Sequence, residues 1–249
     1  VTKNNGTRRT GILFKQEDSN LAPTIYLEEF YQKYLKGQQV PDLADSICSI
    51  YQEIRVKKTC DCQNLFDFNH VKEHIVYKLI RRDANEELLK QIPYEPFLDL
   101  AVVYYIQIDN TRFGSAAIQI RNEHLRYWRV EKEEIRRFAE KNTPRIYPVQ
   151  IRQIVRFMYV ATNEQCSLGA AVMRYPDFRE KVRGMIRGDF YILPSSIHEV
   201  ILVPESFGLE PERMQEMVKE INQTGVTPEE VLSDSVYYFD GEEIRIVAK

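Results

Sequence analysis

Phe97-Leu-Asp-Leu-Ala-Val-Val-Tyr-Tyr-Ile-Gln-Ile108, a short polar stretch from Asn110 to Gly114, then Ser115-Ala-Ala-Ile-Gln-Ile-Arg121: the reading of this passage decides the fold. The first run is too apolar and too rich in β-branched and aromatic residues for a surface helix, and the polar stretch has turn chemistry, so the passage predicts an antiparallel hairpin. A helical stretch follows, through Trp128 and on to Asn142. The same order then recurs. Phe157-Met-Tyr-Val-Ala-Thr-Asn163, a turn ending at Gly169, and Ala170-Ala-Val-Met-Arg-Tyr175 lead into a helix expected to bury Phe178, Val182, Met185 and Ile186. Laying Gly114 on Gly169 also lays Asn122 on Asp177, so the sequence suggests a hairpin-helix unit duplicated after about 55 residues.

Working outward, residues 8–27 read as two short strands around Glu17-Asp18-Ser19-Asn20, and Glu28 to Leu35 is an amphipathic helix stopped by Gly37. A second helix carries Pro41 in its first turn, with Leu43, Ile47, Ile50, Tyr51 and Ile54 at helical spacing. His74 leads into a strand, Asn85 to Gln91 forms a helix, and Pro93 and Pro96 mark a subdomain boundary. Toward the other end, residues 190–203 read as two strand-like runs around Pro194-Ser195-Ser196, either a bent hairpin or a kinked strand. A helix beginning near Pro211 is expected to bury Met214, Met217, Val218 and Ile221, and Thr227-Pro-Glu-Glu230 is a capping box for a shorter helix. A hairpin through Asp240-Gly241 closes the chain. The expected fold is therefore α+β: an antiparallel or mixed sheet of repeated hairpin-helix units with helices packed on it. Residues 1–93 form an N-terminal part and 94–249 the duplicated part, as two subdomains or one continuous domain.

Lys and Arg number 34 against 37 Asp and Glu, a net charge of −3, so no overall cationic field draws the chain to nucleic acid or anionic lipid. Residues 121–156 are locally basic, while the stretch from Glu199 onward is acidic. In the basic stretch Glu131, Glu133, Glu134 and Glu140 interleave with the arginines, the pattern of a solvated face laced with ion pairs rather than of a nucleic-acid surface. No run of about 18 apolar residues suggests a membrane span, and the first residues have no apolar signal core, so the expected location is cytoplasmic. Because the chain opens on Val1 rather than Met, further upstream sequence is expected.

Cys48 and Cys166 sit in apolar surroundings and read as core residues. Cys60-x-Cys62 followed by His70-x3-His74 raises the possibility of zinc, but Cys-x-Cys is a tight pair and its gap to His70 is short, so no metal is expected. No sequence feature calls for a cofactor, and no Gly-rich phosphate loop occurs.

Six stretches, in order, carry a family likeness: Ala22-Pro-Thr-Ile-Tyr-Leu27, Pro96-Phe-Leu-Asp-Leu-Ala-Val-Val103, Asn122-Glu-His-Leu125, Asn142-Thr-Pro144, Leu193-Pro-Ser-Ser-Ile-His-Glu-Val200 and Val231-Leu-Ser-Asp-Ser-Val-Tyr-Tyr238. Together they resemble an uncharacterised bacterial family, a catalogued domain of unknown function. The resemblance implies no activity, cofactor or partner, so no site residue is carried over from it.

The residues themselves offer two clusters. Ser195, Ser196, His198 and Glu199 bring nucleophile, base and acid types within five positions, which invites a hydrolase reading. On an extended strand, however, His198 and Glu199 point to opposite faces, and a triad draws its members from separate elements. Gly-x-Ser-x-Gly is absent, and Leu202 stands where a second histidine would complete His-Glu-x-x-His. The structural alternative makes Ser195 or Ser196 the cap of a bend and His198 a hydrogen-bonded residue of the sheet. Asn122-Glu123-His124 forms the second cluster, either as a helix N-terminus capped by Asn122 or as part of a site at the strand ends. The favoured function is a non-catalytic binding or regulatory module, compatible with a protein partner. The alternatives are an enzyme using His198 and Glu199 with His124 or Glu123, and nucleic-acid binding through residues 121–156.

Overall fold

The computed structural model describes residues 2–15, 24–54, 67–111 and 114–249. A small hairpin of β1 (Gly11–Leu13) and β2 (Thr24–Tyr26) precedes α1 (Glu28–Leu35) and α2 (Val40–Ile54). Gly37, at φ 97°, takes the left-handed turn after α1 that an L side chain resists. After α3 (Phe68–Val71), β3 (Ile75–Arg81) and α4 (Glu86–Leu89), the chain enters the passage that decides the fold.

There β4 (Tyr94–Phe97), β5 (Leu100–Thr111) and β6 (Gly114–Gln119) form consecutive antiparallel hairpins. β5 is the spine of a four-stranded sheet: β3 pairs along one edge from Ile75 opposite Ile106 to Arg81 opposite Leu100, and β4 and β6 share the other. β3, from before the proline pair, thus lies in one sheet with strands that follow it. The prolines themselves flank and occupy β4, whose hairpin turns on Leu98 and Asp99 alone, with Leu98 at φ 55°.

The following helices, α5 (Asn122–Trp128) and α6 (Lys132–Ile146), cover this sheet. Late in α6, Asn142 Nδ2 donates to the carbonyls of Lys72 (2.8 Å) and Ile75 (3.0 Å), and Thr143 Oγ1 accepts from Tyr77 N–H at 3.0 Å. Those bonds satisfy backbone groups along the edge of β3, each worth about 1 kcal/mol net and more if left unmade. Asn142-Thr143 is thus a strand-edge clamp.

A six-stranded antiparallel sheet holds β7 (Val149–Val155), β8 (Met158–Asn163), β9 (Phe190–Leu193), β10 (Val200–Pro204), β11 (Val236–Phe239) and β12 (Ile244–Ala248), in the order β12-β11-β9-β10-β8-β7. α7 (Phe178–Met185) lies between β8 and β9 in the chain, and α8 (Pro211–Thr224) between β10 and β11. Alternate residues of β5, Leu100, Val102, Tyr104 and Ile106, share one buried core with Phe190, Ile192, Leu202 and Phe239 of this second sheet. The intervening residues Ala101, Val103 and Tyr105 are buried as well, in clusters on the other face, so β5 is covered on both sides.

The fold is α+β with antiparallel sheets, and several local expectations are corrected. Residues Gly169–Arg174 form a 3-10 segment instead of the second strand of a repeated unit, and the hairpin in that region is β7–β8. Gly169 to Met173 is buried throughout, and a short all-buried apolar run does not distinguish strand from helix by its periodicity. Thr227 to Glu230 makes a turn, closed by Glu230 N–H to Thr227 O at 2.8 Å, and no helix follows. Cys48 and Cys166 are exposed, as are Ile50, Met185, Met217 and Ile221; each apolar helix face is narrower than its sequence suggests. Cys60 and Cys62 lie outside the described residues, and no group of metal-ligating side chains occurs among those described. No described helix is long and apolar enough to cross a membrane.

Candidate functional site

His198 lies between β9 and β10, where the chain makes a polar bend. Leu168 N–H donates to His198 Nδ1 at 3.2 Å, and Nε2 faces Glu230 Oε1, also at 3.2 Å. A backbone N–H can only donate, so Nδ1 is the acceptor of the neutral ring and the proton resides on Nε2. The backbone of His198 is tied as well: its N–H donates to Ser196 Oγ (3.1 Å), and its carbonyl accepts from Thr162 Oγ1 (2.7 Å). Ser195 O accepts from Leu232 N–H at 2.9 Å, Pro194 O from Ser233 N–H at 3.0 Å, and Ile197 N–H donates to Glu230 O at 2.9 Å. Glu199 is exposed.

The Asn122-Glu123-His124 cluster opens α5 with a different cap from the expected one. Arg121 is the N-cap residue and Asn122 the first helical one, because His124 Nδ1, at the third helical position, accepts from Arg121 N–H at 3.1 Å. Burial, and secondarily the Arg121 charge, holds the His124 imidazole below its ordinary pKa. Asn122 Nδ2 donates to Lys90 O at 3.3 Å, and Glu123 is exposed. His124 packs against Trp128 with ring centroids 5.3 Å apart. Its partners and those of His198 are separate sets of residues, and no hydrogen bond or ion pair among the described residues joins the two clusters.

The arginines of residues 121–156 divide. Arg136 pairs with Glu140 at 2.9 Å, Arg137 with Glu134 at 3.5 Å, and Lys141 with Glu73 at 3.7 Å, as on a solvated helix face. Arg145 donates to Glu73 O at 3.0 Å.

A polar centre that the sequence reading passed over lies at the β4–β5 turn. The two-residue turn aims Asp99 at the second sheet, where Ser233 Oγ (2.7 Å) and Ser235 Oγ (2.8 Å) donate to Oδ2 and the Tyr237 hydroxyl donates to Oδ1. Burial and the adjacent carboxylate push the Tyr237 phenol well above its usual pKa, so it stays protonated as a donor. Two signals mark its members, though not their meeting: a single acid in an otherwise apolar strand run, and hydroxyls at alternate positions in Ser233-Asp-Ser-Val-Tyr237.

Beside Asp99 the surface forms a recess of about 240 Å³. Arg81 crosses it, donating from Nε to Asp83 (2.8 Å) and from Nη1 to Asp234 (2.8 Å). Asp234 also accepts from Asn222 Nδ2 at 2.8 Å. Arg82, Lys219 and Lys249 line the same recess, and no side-chain hydrogen bond or ion pair of theirs occurs among the described residues. A second recess of about 600 Å³ adjoins it, since Arg81 and Asp83 line both; Gln223, Val226, Pro228 and Val231 form part of its wall.

Comparison with known proteins adds a classification: the model of a family of unknown function, DUF5688, matches residues 1–158 and 156–241. The chain belongs to that family. No curated protein and no solved structure matches it.

Proposed function

We propose that this chain is a non-catalytic binding or regulatory module of a bacterial cytoplasmic protein. One observation carries the reading: the single lone pair that a neutral imidazole offers is spent on a backbone N–H at both candidate bases, Leu168 N–H at His198 and Arg121 N–H at His124. A general base must accept a proton from substrate or water through that lone pair, so neither ring can act without giving up a bond that shapes its own loop or helix start. Glu199 and Glu123 are exposed, and no hydrogen bond or ion pair among the described residues joins either to a histidine. Ser195 and Ser196 stand in a bend whose backbone is tied to residues 230–233, which supports a role in shape rather than attack on substrate.

The hydrolase alternative predicts turnover of activated esters or phosphate monoesters that disappears in His198→Gln while the variant remains folded. Assays of p-nitrophenyl acetate and p-nitrophenyl phosphate with parent and variant decide the matter. We expect no turnover above buffer for either protein. Saturable turnover lost on His198→Gln overturns the module reading.

A further inference from the structure

We propose that the adjoining recesses between the Arg81–Asp83 segment and α8 form a binding site for a small amphipathic anion, with a carboxylate or phosphate head beside Arg82 and Lys219 and an apolar body against Val226, Pro228 and Val231. The inference names the ligand class of the binding module and rests on that reading.

The sign of the ligand follows from which charges are already answered. Asp83 is held by Arg81 Nε and by Ala84 N–H at 2.7 Å. Asp234 is held by Arg81 and Asn222, and Asp99 by three hydroxyls. Every acid lining the smaller recess therefore has donors, whereas its cations other than Arg81 have no acceptor among the described residues. A cationic ligand would have to displace Arg81 or the hydroxyls; an anion meets Arg82 and Lys219 without breaking a bond. Both side chains are exposed, so they reach a head group without first losing an internal partner.

The extent of the ligand follows from α8. Lys219, Asn222 and Gln223 stand at helical spacing on one face, and Val226 follows just past the helix end, where its N–H donates to Ile221 O at 3.1 Å. That line runs from the cationic recess into the larger one, whose wall changes to Val226, Pro228 and Val231. Asn222 Nδ2, donating to Ser233 O and Asp234 Oδ1, fixes α8 against the segment that carries the Asp99 donors, so the site is preorganised.

Titration of the whole chain with inorganic phosphate, acetate, phenyl phosphate and phenylacetate, followed by amide NMR and calorimetry, tests the proposal. Burying roughly 60 Å² of apolar surface is worth about tenfold in affinity, so the phenyl compound with the preferred head should bind at least that much tighter than its head group alone. Which phenyl compound binds tighter identifies the head. Amide shifts should fall at Arg81–Asp83 and Lys219–Val226; Lys219→Glu should weaken both head-only and phenyl ligands, and Val226→Asp should remove the phenyl advantage alone. No saturable binding, equal affinity with and without the phenyl group, or binding unchanged in Lys219→Glu overturns the proposal and leaves the module reading standing. Conversely, hydrolysis of phenyl phosphate that depends on His198 overturns the module reading and leaves the anion site to be judged by Lys219→Glu.

Discussion

Asp99 and His198 each organise a polar centre through the segment from Glu230 to Tyr237, but the two centres differ in burial and in what they join. Asp99 reaches from the four-stranded sheet to Ser233, Ser235 and Tyr237, all of which are nearly inaccessible, at 1%, 1% and 0% exposure. His198 and Glu230 are open to solvent, with side chains 32% and 36% exposed, and the bonds of His198 tie a bend to a neighbouring loop. Stability is therefore concentrated at Asp99. Three buried hydroxyls depend on one carboxylate as their acceptor, whereas a half-exposed histidine-carboxylate contact is partly screened.

The largest effect is therefore expected at Asp99. Asp99→Ala leaves three buried hydroxyls without their acceptor and should cost roughly 3 kcal/mol, read as a lower midpoint in urea unfolding with an unchanged slope. Asp99→Asn keeps an acceptor oxygen and should cost less. If Asp99→Ala is no worse than His198→Gln, burial does not rank the two centres.

Much of this architecture was legible in the sequence, and the misses share a cause. The β5–β6 hairpin, the β9–β10 pair and the last hairpin were readable because apolar runs alternate with turn residues. α1 was readable from its stop at Gly37. β4 was missed because Leu98-Asp99 is not a recognisable turn pair: Leu98 adopts a left-handed conformation usually left to glycine or asparagine. The run Ala170–Met173 was misread because small residues buried on every side carry no period. Asp99 and its hydroxyls stand in stretches that were singled out, yet their meeting depends on two sheets sharing a core, which no local pattern encodes. His198 and His124 drew attention through residue type, but type does not reveal that both lone pairs point at backbone N–H groups.

The next effect sharpens the comparison from the His198 side. Gly169 has no left-handed backbone to excuse it; it is required by close approach, since a Cβ would stand 2.1 Å from Thr162 Oγ1, 2.4 Å from His198 O and 2.8 Å from Asn163 N. Two of those atoms belong to the backbone and cannot rotate away. Gly169→Ala should destabilise by about 2 kcal/mol, measured by urea unfolding, and should broaden amide signals of residues 163–169 and 196–199. A variant as stable as the parent would mean that the loop is not packed against the bend as described.

The smallest effect separates the two bonds of the His198 ring. Its contact with Glu230 is exposed on both sides, so Glu230→Gln should change stability by no more than about 0.5 kcal/mol. The bond from Leu168 N–H is different, because Leu168 sits at φ 54° and begins the buried 3-10 segment; an unanswered N–H there would leave the turn without its anchor. Glutamine places its terminal amide near the position of Nε2, and asparagine places its own near Nδ1. His198→Gln should accordingly cost about 1–2 kcal/mol, and His198→Asn, which can still offer an oxygen to Leu168, should cost less. The opposite order, with Asn worse than Gln and Glu230→Gln as costly as either, would transfer the importance of the ring to its Nε2 side. It would then show that the solvent-facing pair, and not the anchored loop, is what His198 stabilises.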